Sequence, residues 1–310
     1  MDKLYTFGMY LKKFNKKIKK VPISIPGFTC PNIDGTKARG GCVFCENESF
    51  SPNFTKEKFL LNFNSDNPYL QKQLNALIKQ YYQTTPLLKE IYGAENFIVY
   101  FQSFTNTYAP FSTLKALFDK ALTLKDSIGI SVGTRAGSIE DKTLNYLKDL
   151  SKDCEICVEY GVQSSNNETL KRINRAETFE EISATIKKTK ELGLNVCVHL
   201  IFGLPGENQE DMLKSVEDVA KLGIDSIKFH PLYITKNTLL ANEYKKGNYK
   251  PLTQNEYIDT LIKAIKILPQ NVSIQRMSAG SKDLIAPNWC RDKSKQMSAI
   301  YKALHKEGLI

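Results

Sequence analysis

Residues 178–201 read TFEEISATIKKTKELGLNVCVHLI. The first two thirds carry apolar residues at helical spacing, and the last third is a short run rich in β-branched residues. Leu192–Gly193 stands between them as a helix stop immediately before a strand. The same grammar recurs in both directions. Leu222–Gly223 again separates a helical stretch from a strand-like one. Strand-like runs fall at 22–27, 96–103, 127–133, 155–163, 194–201 and 226–232, and helix-like stretches near 67–92, 110–124, 138–150, 178–193, 208–222 and 254–268. The strand runs carry little charge, as expected for strands covered on both faces. Six β-α units in series predict a parallel α/β fold. Six is short of a closed eightfold barrel, which leaves an open, partial barrel and a doubly wound sheet as candidates.

The chain has 310 residues, 42% of them hydrophobic and 25% charged, a globular composition with ample material for a core. No apolar run approaches the ~20 residues that would span a bilayer. The basic N-terminus has no apolar h-region, which reads against a secretory signal. Seven cysteines in such a chain argue for a reducing, cytoplasmic setting rather than a disulfide framework. Of the net charge of +10, residues 1–29 supply +6, from seven lysines against Asp2. Leu11, Phe14 and Ile18 recur at helical spacing with lysines largely opposite, which allows a basic amphipathic helix. Such a segment is either a solvated lysine face or a phosphate-binding edge for nucleic acid. It has few large apolar anchors for a lipid surface.

Cys30, Cys42 and Cys45 form C-x11-C-x2-C on a glycine-rich loop directly after the first expected strand. Three thiolates on one loop call for a common ligand. Spacing alone leaves zinc and an iron–sulfur cluster as close rivals, although zinc prefers a fourth ligand and none lies nearby. Of the other four cysteines, Cys154 and Cys157 form a second C-x2-C. Cys157 and Cys197 read as small core hydrophobes, and neither they nor Cys290 suggest an auxiliary cluster.

The wider context narrows the choice. Phe44 precedes the last cysteine, and further on stand Gly161-Val162-Gln163-Ser164, Asn174-Arg175 and Gly203-Leu204-Pro205-Gly206-Glu207. Together these resemble the radical S-adenosylmethionine (SAM) superfamily, its elongator-type subgroup, and within that the YhcC/YtqA-type bacterial proteins. The stretches 29–45, 100–110 (YFQSFTNTYAP), 133–135 and 282–289 (KDLIAPNW) carry the likeness nearly end to end. The resemblance implies a partial (β/α)6 radical SAM barrel with short N- and C-terminal extensions. Residues 1–235 would be the core with its basic N-terminal segment, and 236–310 a C-terminal helical extension. The elongator acetyltransferase domain has no room in this length, so acetyl-CoA chemistry is not carried over.

At the level of residues, the resemblance implies that Cys30, Cys42 and Cys45 hold one [4Fe–4S] cluster whose fourth iron takes the amino and carboxylate groups of SAM. Reductive cleavage would give methionine and a 5′-deoxyadenosyl radical that abstracts a substrate hydrogen. Phe44 would pack near the adenine, and Gln163 and Arg175 would contact SAM, as an amide and a forked guanidinium can. His199 stands where some relatives contact the ribose, against its alternative as a core histidine. Two departures stand out. The Gly-Gly-Glu turn of the second strand is replaced by Gln102-Ser103-Phe104-Thr105-Asn106, so Thr105, with Ser103, inherits the methionine-binding role. The third strand, ending Gly133-Thr134-Arg135, lacks the usual acid. Glu159, Tyr160, His230, Tyr233 and Lys236 are expected near the barrel mouth. Tyr100, Phe101, Phe104 and Tyr108 are candidates to stack a base.

The implied activity is radical modification of the carbon-5 side chain of wobble uridine in tRNA, from carboxymethylaminomethyl-uridine toward aminomethyl-uridine. The partners would be tRNA and an electron donor such as flavodoxin or ferredoxin, with no membrane. The rivals are a radical enzyme acting on a peptide or small metabolite, and a non-catalytic Fe–S or zinc protein that binds RNA. No residue is singled out for the step after hydrogen abstraction.

Overall fold

A computed structural model describes residues 4–46, 59, 61, 66–281 and 283–310. Asp2 and Lys3 of the basic segment, and Lys282 of the KDLIAPNW stretch, lie outside the described residues. Seven parallel strands form one sheet: β1 (Ile18–Ile23), β2 (Asn96–Phe101), β3 (Ser127–Thr134), β4 (Glu155–Gln163), β5 (Asn195–Phe202), β6 (Ser226–Pro231) and β8 (Ser273–Arg276), in that spatial order. The strands neighbour one another in chain order, with no reversal. A doubly wound sheet needs a switch point where the order reverses, so that alternative is excluded. The sheet is instead a curled, partial barrel. A two-stranded antiparallel ribbon, β7 (Ile234–Thr235) with β9 (Leu284–Ala286), stands apart from it.

Helices α2 (Leu70–Tyr92), α3 (Phe111–Leu122), α4 (Asp141–Leu150), α6 (Phe179–Glu191), α7 (Gln209–Ala220) and α9 (Gln254–Ile267) correspond to the six expected helical stretches. Gly193 and Gly223 take φ of +80° and +73° just past α6 and α7, a conformation in which a Cβ would be strained. Capping boxes at Thr178/Glu181, Asn208/Asp211 and Thr253/Glu256 begin α6, α7 and α9. Shorter helices α5 (Asn167–Arg172) and α8 (Leu239–Lys245), and a terminal α10 (Lys293–Lys306), complete the chain.

Side chains alternate across the sheet. Phe101, Tyr160 and Phe229 point outward and are fully buried; Phe101 meets Phe118 of α3 edge-on at 5.2 Å, and the Tyr160 hydroxyl bonds Thr189 of α6 at 2.8 Å. Tyr100, Glu159, His199 and Lys228 occupy the alternate positions and face the barrel interior. That period of two corrects two expectations. Tyr160 faces the helices rather than the mouth, and Phe101 belongs to the core rather than to a base-stacking surface.

The seventh strand is unexpected from the sequence. Residues 273–276 are only four long and follow α9, within the segment expected to be helical. They pair with β6, and the edges of the curled sheet then approach each other: Lys20 of β1 bonds the Gln275 amide oxygen at 2.7 Å. The N-terminal segment fills the remaining gap. Thr6 bridges to Ile274, Leu4 donates to the Leu309 carbonyl, and helix α1 (Phe7–Leu11) lies between.

The basic amphipathic helix does not form. α1 ends at Leu11, a 3₁₀ turn over Lys12–Phe14 ends at Asn15 with φ of +52°, and Ile18 opens β1 because a neighbouring strand satisfies its backbone. The lysines therefore sit at the N-terminal ends of the strands, where Lys13 pairs with Glu155 and Lys16 with Glu95. The cysteine loop leaves the opposite end of β1. Among the described residues, no helix is long and apolar enough to cross a membrane.

Glu207 gives the fold a pH signature. It turns back from the β5–α7 loop to accept from the Ser164 hydroxyl just past β4, and burial pushes its carboxyl from 4.5 up to about 7. The folded chain thus holds this proton more tightly than the unfolded chain, so the stability Glu207 contributes is complete below pH 4.5 and is lost as pH rises to about 7. Glu207→Gln is expected to remove roughly 5 °C of the fall in Tm between pH 5 and 7.5, read by thermal melting at each pH. An unchanged pH slope would contradict this reading.

Candidate active site at the cysteine end of the barrel

The loop that leaves β1 is built from turns, with backbone bonds such as Lys37 N–H to Pro31 O and Gly41 N–H to Asn32 O and a bridge between Asp34 and Arg39, and it is fixed in place by the turn after α5. The Asn32 amide donates to the carbonyls of Asn174 (2.6 Å) and Arg175 (3.0 Å). In return the Asn174 amide donates to the carbonyls of Arg39 (3.0 Å) and Gly41 (2.8 Å), and Val43 N–H donates to Ile173 O. Asn174 itself has φ of +55°, a conformation that asparagine tolerates better than most residues. This reciprocal clamp places Cys30, Cys42 and Cys45 at one end of a cavity of about 960 Å³ that occupies the barrel interior. The three sulfurs feel one another: burial and the neighbouring Cys42 and Cys30 push the Cys45 thiol upward.

Two buried arginines back this end of the cavity. Arg135, just past β3, and Arg175 both pair with Glu177, at 2.9 and 3.1 Å. Two guanidinium groups against one carboxylate leave an excess positive charge beside three thiols. Arg135 reaches the Cys30 sulfur at 3.8 Å, and Asn32 the Cys42 sulfur at 3.9 Å. Cysteine thiolates bound to a metal are stabilised by such donors.

Phe44, Thr105, Gln163, Arg175 and His199 all line this one cavity with the cysteines. Gln163 has φ of +74° at a bulge between β4 and β5, which turns its amide back over Gly161. A Cβ on Gly161 would lie 2.6 Å from the Gln163 amide nitrogen, so the glycine is what admits that side chain. Arg175 donates to the Gly161 carbonyl at 2.5 Å, and its Nε, like that of Arg135, is buried without a partner. At the end of β2, Ser103 and Phe104 have φ of +75° and +58°. The turn therefore keeps a backbone shape natural to glycine although glycine is absent. The buried hydroxyls of Ser103 and Thr105 have no partner among the described residues. Unpartnered buried polar atoms facing one cavity are the mark of a ligand site.

His199 is tied to a different group. Glu159, fully buried on β4, receives Lys20 at 2.6 Å, His199 at 2.8 Å, and Lys228. Lys20 and Lys228 hold its carboxyl well below the ordinary range despite burial. Burial and Lys228 bring His199 down to about 4, so it is neutral near pH 7 and donates its Nε2 proton to Glu159. Glu159, Cys197 and His199 are close enough together to suggest a metal site. Two ammonium groups on the same carboxylate, and a Cys197 thiol pushed up to about 11 by burial, oppose a cation there.

His230 and Tyr233 also line the main cavity, whereas Lys236 opens onto a smaller depression behind Cys42 and Cys45. Tyr100 and Phe104 face the cavity; Tyr108 instead bonds Thr36 on the cysteine loop. The KDLIAPNW stretch is structural: Trp289 packs on Tyr257 at 5.3 Å and donates to Leu252 O. Cys157, Cys197 and Cys290 are buried and Cys154 half-buried. Sequence reasoning did not single out Asn32, or Arg135 as a neighbour of a cysteine sulfur. Asn32 and Arg135 do fall inside the stretches 29–45 and 133–135 already read as motifs.

A (β/α) half-barrel with three clamped cysteines beneath a polar cavity defines the radical SAM class, and the comparisons agree. Residues 33–219 match the radical SAM superfamily and residues 224–306 the radical SAM C-terminal domain. The chain belongs to this superfamily and is of the YhcC/YtqA type. It is 32% identical to the YtqA protein of Bacillus subtilis (strain 168) over 98% of this chain and 90% of that one. It is 28% identical to a tRNA uridine(34) acetyltransferase of Methanocaldococcus infernus, over 59% of this chain and 34% of that one. Among solved structures, Elp3 of M. infernus superposes with a TM-score of 0.64 at 20% identity, covering 95% of this chain and 64% of that one. Membership implies a [4Fe–4S] cluster and SAM, and the cysteine trio with its unpartnered donors fits both.

The clamp can be tested apart from catalysis. Asn174→Ala removes two hydrogen bonds that hold the cysteine loop, worth about 2 kcal/mol together. After anaerobic reconstitution, release of iron to a chelator should be about 30-fold faster in this variant. A release rate equal to the parent's would refute the clamp.

Proposed function

We propose that the protein is a radical SAM enzyme that modifies the carbon-5 side chain of wobble uridine in tRNA, taking carboxymethylaminomethyl-uridine toward aminomethyl-uridine. The observation that carries the reading is the cavity itself, which runs from the three cysteines into an interior lined by Lys20 and Lys228, with Arg276 at its exposed rim. That interior suits an anionic substrate side chain. The relative named as a tRNA uridine(34) acetyltransferase supports a wobble-uridine target. Its acetyl transfer is not carried over, because the match covers 34% of that protein.

When bound, the cluster and SAM supply hydrogen-atom abstraction. In this reading Cys30, Cys42 and Cys45 hold the cluster. Arg135 and Asn32 donate toward the Cys30 and Cys42 sulfurs, and Arg175 would neutralise negative charge beside the cluster. Gln163, Ser103 and Thr105 bind the polar groups of SAM, Phe44 packs on its adenine, and His199 presents a neutral ring nitrogen fixed by Glu159. A reduced flavodoxin or ferredoxin supplies the electron. RNA contact no longer rests on the N-terminal lysines, since Lys13 and Lys16 are paired at the far end of the barrel and Lys20 is paired with Glu159 inside it. It rests on the mouth, where Phe104 offers an aromatic face for a base turned out of its stack.

Mass spectrometry of tRNA nucleosides from cells lacking the protein is the test. Carboxymethylaminomethyl-uridine should accumulate and aminomethyl-uridine should fall. An unchanged wobble-uridine profile would remove the RNA assignment and leave radical chemistry on another substrate.

A further inference from the structure

The barrel interior holds more positive charge than its own carboxylate can use. Glu159 is the one acid on the described wall of the cavity, and it is already shared by Lys20 and Lys228. Arg276 and Lys293 line the same space from its solvent-exposed rim and have no carboxylate partner among the described residues. Arg276 ends β8 in register with Lys228 of β6, and Lys293 opens α10. Burial and the Arg276 charge hold the Lys293 ammonium below its usual range. Beside them, His230 is kept neutral by burial and by Arg276, and its Nε2 is buried without a hydrogen-bond partner. Two neighbouring cations thus stand without a carboxylate next to an imidazole nitrogen that is unpartnered among the described residues. An oxyanion would relieve the repulsion and accept from all three.

We propose that Arg276, Lys293 and His230 form an anion site at the rim of the barrel cavity that takes the carboxylate of the substrate side chain. This rests on the wobble-uridine reading for the identity of the carboxylate, but not for the existence of the site. The cysteine end, with Gln163 and Arg175, would hold the cluster and SAM, which leaves the second anion site to the substrate. It anchors the far end of the side chain and fixes which carbon faces the cofactor. It also discriminates against side chains that have already lost the carboxylate.

Two measurements test the site. In the first, holoenzyme with SAM is titrated with synthetic anticodon stem-loops whose wobble uridine carries carboxymethylaminomethyl or methylaminomethyl. The parent should bind the carboxylate-bearing loop about 10-fold more tightly, the effect of one charge-assisted hydrogen bond. Arg276→Gln or Lys293→Gln should abolish the difference and leave affinity for the methylaminomethyl loop in place. Equal weakening toward both loops would assign the site to a backbone phosphate and overturn the carboxylate. In the second, N-methylglycine and inorganic phosphate are titrated against holoenzyme while the Lys293 ammonium is followed by NMR across pH. N-methylglycine should bind saturably, raise the Lys293 pKa, and do neither in Arg276→Gln. If neither probe binds saturably the site is refuted, whatever the RNA does. If N-methylglycine binds but neither loop binds better than unmodified RNA, the anion site stands and the wobble-uridine reading falls.

Discussion

The exchange of amide hydrogen bonds between Asn32 and the turn containing Asn174 is the contact on which the site depends. A loop with three cysteines gains little from folding alone. Its thiols repel one another when ionised, and its glycines lose much conformational entropy when ordered. The clamp fixes the loop to a segment that also delivers Arg175 and Glu177, so one turn places both the thiols and the charge that balances them. Arg135 enters from the next strand to the same carboxylate. The cysteine end is therefore preorganised before any cofactor arrives.

The second constraint is the polar interior. A barrel of this kind could be filled by apolar side chains, as its outward face is by Phe101, Tyr160 and Phe229. Instead Glu159 lies fully buried among Lys20, Lys228 and His199. Burying such groups costs solvation that their attraction only partly returns, and removing one partner from a buried pair typically costs about 3–5 kcal/mol. A structure retains this arrangement where the interior must stay open and charged. Lys20 adds a mechanical role, since it spans from β1 to Gln275 of β8 and holds the two edges of the sheet together.

Much of this was legible in the sequence because its signals are local. The β-α alternation, the Leu-Gly stops before strands and the C-x11-C-x2-C loop each depend on neighbours a few residues away. The quoted motifs proved to be structural as well as functional: Asn174 holds the cysteine loop, and Glu207 ties the end of β4 to the end of β5. Features set by three-dimensional closure were not legible. The strand Ser273–Arg276 is too short to announce itself without its partner β6. The N-terminal lysines precede the cysteine loop in the chain, but six residues of β1 carry the chain from one end of the barrel to the other, a rise of about 20 Å. Tyr160 shows the opposite failure, since simple alternation with Glu159 already placed it on the outer face.

The central claim is that a wobble-uridine side chain lies in the cavity close enough to lose a hydrogen atom to the cofactor. Its most direct test is to incubate reduced holoenzyme and SAM with tRNA bearing a carboxymethylaminomethyl group deuterated at its carbon positions, and to weigh the 5′-deoxyadenosine formed. The account predicts deuterium in the 5′-deoxyadenosine together with conversion of the uridine. Unlabelled 5′-deoxyadenosine, with the uridine unchanged, would contradict it.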